Sequence, residues 1–132
     1  MKLAPAPALS ARLKKSRLPP KLRTRLAASN YASTLHTLER HGEAKSLLKE
    51  TIPVAQRVLG ASNETTFRMR GCYAGALYAD PAATLDDLRE AVTTLEDTER
   101  TARRVLGAAH PVTVGIEGRL GIARGALAAR ET

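Results

Sequence analysis

The sequence predicts an all-α protein built as a stack of antiparallel helix hairpins. The tetrapeptide RVLG at residues 57–60 returns at residues 104–107, 47 positions later, and Ala follows both copies. Self-similarity at such a distance is typical of helical repeat proteins, because each repeat has an apolar face that it cannot bury alone. The composition is aliphatic, with no Trp, one Phe and three Tyr, and it contains no β-branched and aromatic runs that would predict strands. A stack of this kind indicates a binding scaffold.

The positive charge of the chain lies at its N-terminus. The net charge is +8, and residues 1–38 hold eight basic residues without an acid, whereas residues 39–132 hold 13 charges of each sign. Residues 1–20 contain four prolines and little apolar periodicity, so we expect a basic arm without regular structure. Three roles for the arm stay open: a solvated tail, an organellar targeting segment, or a segment that binds nucleic acid or another polyanion. A neutral body and an arm without aromatic residues argue against nucleic acid as the main partner.

Apolar spacing predicts two helices in the first hairpin. From residue 21 to about 39 one stripe recurs at three- to five-residue spacing, formed by Leu22, Leu26, Asn30/Tyr31, Leu35 and Leu38. A second helix follows over residues 43–59. His41 and Gly42 are expected to break the chain between these two helices. Pro53 lies inside the second helix and predicts a kink, and Gly60 predicts its end.

The second hairpin is predicted to begin at Asn63. This residue is a good N-cap for a helix over about residues 63–79. Thr84 and Asp87 form an acidic variant of a capping box before a helix over Leu85–Leu106, which ends at the second RVLG copy. Two ion pairs are expected on the solvent side of that helix, Glu96 with Arg100 and Glu99 with Arg103.

A fifth helix is predicted over about residues 112–129, although four glycines weaken it, at positions 115, 118, 121 and 125. No helix follows it to complete a third hairpin. We therefore expect one apolar face of this helix to stay partly exposed, namely Ile116, Leu120, Ala123 and Leu127. An exposed face of this kind predicts self-association through the C-terminal helix, or origin in a longer repeat array.

The helix junctions resemble those of tetratricopeptide repeats of the kinesin light chain type. That family has a unit of about 42 residues, with Asn-Leu-Ala in its first helix, Ala opening the second, and a Val-Leu-Gly-x-x-His-Pro linker. The matching segments here are Asn30-Tyr31-Ala32, Ala44, Cys72-Tyr73-Ala74, Ala91 and His110-Pro111. The 47-residue spacing then corresponds to one repeat plus a five-residue insertion around residues 80–84. The resemblance implies a right-handed superhelical stack of about five helices, with units at about 21–62, 63–109 and, incomplete, 110–130.

The resemblance also implies function. Proteins of this family bind a peptide or protein segment in a concave groove lined by the first helix of each unit. Carried over by register, the groove positions are Asn30, Ser33, His36, Thr37, Arg68, Cys72, Tyr78 and Arg119. Of the three positions that match the family's asparagine, only Asn30 keeps the amide. The arginines favour an acidic or carboxylate-bearing partner, because guanidinium groups pair bidentately with carboxylates.

The residues give no support to catalysis. The three histidines lack metal-ligand spacing, and the acids at the start of Leu85–Leu106 are explained by the helix dipole. We therefore expect a non-enzymatic protein with no metal and no cofactor. One cysteine forms no internal disulfide, and no apolar stretch reaches the roughly 20 residues that span a bilayer, so a cytoplasmic protein is expected unless residues 1–20 target it to an organelle.

Overall fold

The computed structural model describes residues 40–132, which form four helices and no strand. In chain order the helices are α1 (His41–Val58), α2 (Glu64–Tyr78), α3 (Leu85–Leu106) and α4 (Pro111–Glu131). Helix α2 packs against all three others, and α3 also packs against α4. The described residues are thus an all-α stack of helix hairpins, as predicted. The predicted helix over residues 21–39 lies outside the described part of the chain.

Helix α1 begins two residues earlier than predicted. The expectation that His41 and Gly42 break the chain was wrong, because Arg40 is the N-cap and both residues lie in the first turn. His41 is buried, and a Cβ at Gly42 would meet nothing within 4 Å. Burial of the imidazole in the first turn therefore outweighs the low helix propensity of the glycine beside it. The helix continues through Pro53.

Helices α1 and α3 bury the same stripe of positions, 47 residues apart. The buried pairs are His41 and Leu88, Ala44 and Ala91, Leu48 and Leu95, Thr51 and Thr98, and Ala55 and Ala102. Both buried threonines donate to the carbonyl four residues back, Thr51 Oγ1 to Leu47 O at 2.7 Å and Thr98 Oγ1 to Thr94 O at 2.6 Å. Each hydroxyl is therefore satisfied inside its own helix. The sequence repeat is a repeat of structure, and we call this correspondence the 47-residue register.

The two junctions that follow these helices share one geometry. Gly60 and Gly107 have φ of 96° and 97°, a conformation that only glycine adopts without strain. The next helix is then capped by a side chain that accepts a backbone hydrogen bond. Asn63 Oδ1 accepts from Thr65 N at 2.8 Å, which confirms the predicted cap, and His110 Nδ1 accepts from Val112 N at 3.1 Å.

Helix α3 has the predicted ends, and its capping box is present. Asp87 N donates to Thr84 Oγ1 at 3.1 Å, and Thr84 N donates to Asp87 Oδ2 at 3.0 Å. The backbone hydrogen bond from Thr84 lowers the pKa of the Asp87 carboxyl, because it favours the ionised form.

Three ion pairs join α3 to α4 in steps of seven residues. Because the helices are antiparallel, the pairs run in opposite directions along them: Arg89 with Glu131 at 3.5 Å, Glu96 with Arg124 at 2.9 Å, and Arg103 with Glu117 at 3.1 Å. Exposed pairs of this kind contribute at most about 1 kcal/mol each. Their regular alternation of sign nevertheless matches only one alignment of the two helices.

One of the two ion pairs predicted within α3 is present. Glu99 and Arg103 lie 2.7 Å apart, as expected. The predicted pairing of Glu96 with Arg100 was wrong, because Glu96 reaches across to α4 and Arg100 lies 3.6 Å from Asp97.

The prediction of an open face on the last helix was wrong about which face is open. Ile116, Leu120 and Ala123 are buried, because this side of α4 packs against α2 and α3, and of the four predicted residues only Leu127 is partly exposed. The exposed apolar residues are instead Val114, at 53% relative exposure, and Ile122, at 60%. They lie on the side of α4 that faces away from the rest of the described chain.

Candidate partner-binding face

The open side of α2 carries Arg68 and Cys72. The two residues are four positions apart, so they lie on one face of the helix. Arg68 is exposed, and its Nη2 lies 2.7 Å from Glu64 Oε1, one turn earlier. Cys72 is partly buried and packs against the edge of the core. This face of α2 therefore combines an exposed charge with a small thiol.

Arg119 of α4 lies beside the same face. Its Cδ and Nε atoms lie 3.8 and 3.9 Å from the position that a Cβ on Gly71 would occupy, and Gly71 directly precedes Cys72. A methyl group at residue 71 would just touch the arginine, and a larger side chain would displace it. Gly71 thus sets the path of Arg119 over α2. We call the surface formed by Arg68, Cys72 and Arg119 the α2–α4 face.

The charge of Arg119 has no counterion in the described part of the chain. The side chain is partly buried, yet among residues 40–132 it makes no hydrogen bond or ion pair. Arg103 and Arg124, by contrast, are held by Glu117 and Glu96. A guanidinium group that is partly withdrawn from water and lacks an acid beside it can pair with a carboxylate of another molecule.

The structure brings together three of the eight residues predicted for the groove: Arg68, Cys72 and Arg119. Tyr78 lies ten residues after Arg68, which places it about 80° away around the helix, and it packs against the core. The remaining four, Asn30, Ser33, His36 and Thr37, lie outside the described residues. Sequence analysis did not identify Gly71. The sequence does mark this residue, because the 47-residue register pairs Gly71 with another glycine, Gly118.

A buried tyrosine holds α2 against α3 behind this face. Tyr73 donates its hydroxyl hydrogen to Glu90 Oε2 of α3 at 2.6 Å. Burial, and then the hydrogen bond to this carboxylate, raise the pKa of Tyr73 far above its usual value, since both disfavour the phenolate. Arg70 adds a second link to α3, 3.0 Å from Asp97. These contacts fix the helix that carries Arg68 and Cys72.

Two further features of residues 40–132 concern metal ions and membranes. No group of three or more His, Cys, Asp or Glu side chains in that range is placed to hold a metal ion. None of the four described helices combines the length and the apolar character needed to cross a membrane.

Residues 24–64 match the family model of the tetratricopeptide repeat. This segment overlaps the first predicted unit, and its described part contains α1 and the junction to α2. The match supports a tetratricopeptide repeat protein, and the described helices continue the same alternation of hairpins beyond it. No curated protein and no solved structure matches the chain significantly.

Proposed function

We propose that this chain is a non-catalytic interaction module of the kinesin light chain type that binds an acidic peptide or protein segment along the α2–α4 face. The observation that carries the proposal is Arg119, a partly buried cation without a counterion in the described residues. Tetratricopeptide repeats generally mediate protein–protein interaction, and stacked helical repeats present extended surfaces for it. Neither a cofactor nor a metal is part of this role.

The two arginines would contribute differently to binding. The stem of Arg119 lies over Gly71, so we expect less side-chain entropy to be lost when a carboxylate pairs with it than for a fully exposed arginine. Arg68 is exposed and already paired with Glu64, and an exposed pair of this kind is worth at most about 1 kcal/mol. A ligand carboxylate can therefore replace Glu64 at small cost. We expect Arg119 to dominate affinity and Arg68 to tune it.

A second candidate function rests on the N-terminus. Residues 1–38 carry eight basic residues and no acid, which would suit nucleic acid or another polyanion, or an organellar targeting role. Binding of this kind would fall steeply with salt and would require the arm. Binding at the α2–α4 face would survive deletion of residues 1–20. The expected cytoplasmic location rests on the single cysteine and is likewise a proposal.

The test is selection from a displayed random peptide library with the full-length chain. The wild-type protein should enrich peptides rich in Asp and Glu. Arg119→Gln should weaken binding of the selected peptides about tenfold, because a partly desolvated ion pair loses its cation. Arg104→Gln, which removes an exposed arginine from α3, is the matched control and should bind like the wild type. Equal binding by Arg119→Gln and Arg104→Gln would contradict the proposal.

A further inference from the structure

The charged residues of α4 all face its neighbours. Three of them form the ion pairs with α3, Glu117, Arg124 and Glu131. Arg119 lies over Gly71 of α2, and Arg130 Nη1 donates to Ala83 O at 2.8 Å, in the turn before α3. A surface helix normally places its charges toward water and its apolar residues toward the core. In α4 the charged side chains, although mostly exposed, instead lie along its borders with the neighbouring elements that they contact.

The outward side of α4 is consequently apolar and uncharged. It contains Val114, Gly115, Gly118, Gly121, Ile122 and Gly125, which we call the open α4 face. Val114 and Ile122 are the two most exposed large hydrophobic residues in the described part of the chain. Helix α3 shows the ordinary arrangement, with Asp86, Arg100 and Arg104 on its exposed side. An apolar side on an exposed helix is characteristic of an interface.

The 47-residue register shows what such a face does elsewhere in the same chain. Val114, Gly118, Gly121 and Ile122 correspond to Phe67, Gly71, Ala74 and Gly75 of α2, all of which are buried. Helix α2 packs against all three other helices, and at Gly71 the covering helix is α4, whose Ile116 Cγ1 lies 3.9 Å from the Cβ position of this glycine. At Gly118 the same position meets nothing within 4 Å. One unit thus has its face covered, and the other has it open.

We propose that the open α4 face is a homodimer interface, in which it packs antiparallel against the same face of a second copy. A two-fold axis through Gly118 would bring this glycine against its own copy. The same axis would pair Gly115 with Gly121 of the second copy, and Val114 with Ile122 of the second copy, since each pair is centred on residue 118. Glycines at the crossing point let the helices approach closely, and the branched side chains pack on either side.

The charge distribution favours a second copy as the occupant. The open α4 face has no charged residue, so two copies bring no like charges together. Residues 39–132 carry 13 charges of each sign, so the net charge of +8 lies in residues 1–38 and not in the helices that would meet. Each copy also supplies both the glycine surface and the aliphatic side chains that cover it, as a self-complementary interface requires.

Sedimentation across a concentration series of the full chain tests the proposal, in parallel with three variants. The wild type should pass from monomer to dimer as the concentration rises. Gly118→Leu and Ile122→Glu should each raise the dimer Kd by at least about tenfold, because one blocks the close approach and the other buries a charge. Gly118→Leu also raises helix propensity, so circular dichroism should show a fold at least as stable as the wild type. Val105→Glu, at an exposed valine of α3, is the control and should dimerise normally.

Two results would overturn this inference. One is a wild-type chain that stays monomeric over the whole series, including one that instead binds a helix of another protein on this face. The other is a dimer that Gly118→Leu and Ile122→Glu leave unchanged, which would place the contact elsewhere. Neither result depends on the peptide selection above, because the measurement contains no ligand.

Discussion

Helices α2 and α4 are equivalent in the 47-residue register, yet they meet different surroundings. Phe67 of α2 is 0% exposed, whereas its counterpart Val114 is 53% exposed. Gly75 is buried beneath neighbouring helices, whereas its counterpart Ile122 stands in the open. The comparison shows that whether a repeat position is buried or exposed depends on the helices packed against it, and not on its place in the repeat alone. The covered face has a core aromatic, and the open face presents glycines and aliphatic side chains.

The two units also differ in one buried hydroxyl. Thr66 Oγ1 of α2 donates to Gly60 O at 2.9 Å, which ties the helix to the preceding junction. Its counterpart Thr113 is equally buried, but Thr113 Oγ1 has no hydrogen-bond partner among residues 40–132. The same residue type at the same register position is thus satisfied in one unit and unsatisfied in the other.

The largest expected difference in the free energy of unfolding is between substitutions at Phe67, which is buried, and at its register counterpart Val114, which is exposed. Phe67→Ala should lower the free energy of unfolding by about 3 to 5 kcal/mol, because it empties a fully buried site. Val114→Ala should change it by less than about 0.5 kcal/mol when the chain is monomeric. Urea unfolding at low protein concentration measures both. Equal losses would mean that the two helices are covered alike.

The buried stripe of α3 gives the next largest effect. Leu88→Ala should cost about 2 to 5 kcal/mol, because this side chain is only 2% exposed. Val105→Ala, on the exposed side of the same helix, is the control and should cost less than about 0.5 kcal/mol. A loss at Leu88 as small as that at Val105 would show that the buried face of α3 is assigned wrongly.

Tyr73 gives α2 a pH dependence that α4 lacks, because its register counterpart is Leu120. Folding raises the pKa of Tyr73. The stability that the protonated hydroxyl contributes is therefore fully present below the pKa of about 10 that the residue has in the unfolded chain, and it is lost as the pH rises further. Tyr73→Phe should cost about 1 to 2 kcal/mol at neutral pH through the lost hydrogen bond to Glu90. Denaturation curves from pH 8 to about 12 should show a flatter alkaline decline in this variant. An unchanged decline would contradict the role of the tyrosine.

The two threonines should respond with opposite sign. Thr66→Val should destabilise the protein by about 1 kcal/mol, because it removes a satisfied hydrogen bond. Thr113→Val should be neutral or stabilising by about 1 kcal/mol, because it removes an unsatisfied buried hydroxyl. Thermal unfolding of the matched pair suffices. A loss at Thr113 similar to that at Thr66 would show that Thr113 has a partner in solution.

Features set by neighbouring residues were predictable from the sequence, and features set by packing were not. The ends of α3 follow from the Thr84 capping box and from Gly107, which act within a few residues of themselves. The partner of Glu96 was missed because Arg124, on another helix, competes with Arg100 on its own. Apolar spacing marked the Ile116 face of α4 but could not say that α2 and α3 already cover it.

The candidate site, too, has features that the sequence predicts and features that depend on how the helices pack. Sequence register predicted Arg68, Cys72 and Arg119 as groove positions, and in the structure Arg119 lies over Gly71, next to Cys72 on α2. The stem of Arg119 lies over Gly71, and this contact depends on the side-by-side packing of α2 and α4. The sequence next to Gly71 or Arg119 does not indicate that α2 and α4 pack against each other. The role of the surface in binding stays a proposal.

Amide hydrogen exchange at low and high protein concentration tests most directly whether α2 is enclosed and α4 is open. We predict that amides of α2 exchange slowly at every concentration, because the helix is covered on three sides. Amides of α4 around Gly118 should exchange faster at low concentration and become protected as the dimer forms. Equal protection of both helices at the lowest concentration, or protection of α4 that does not change with concentration, would contradict the account.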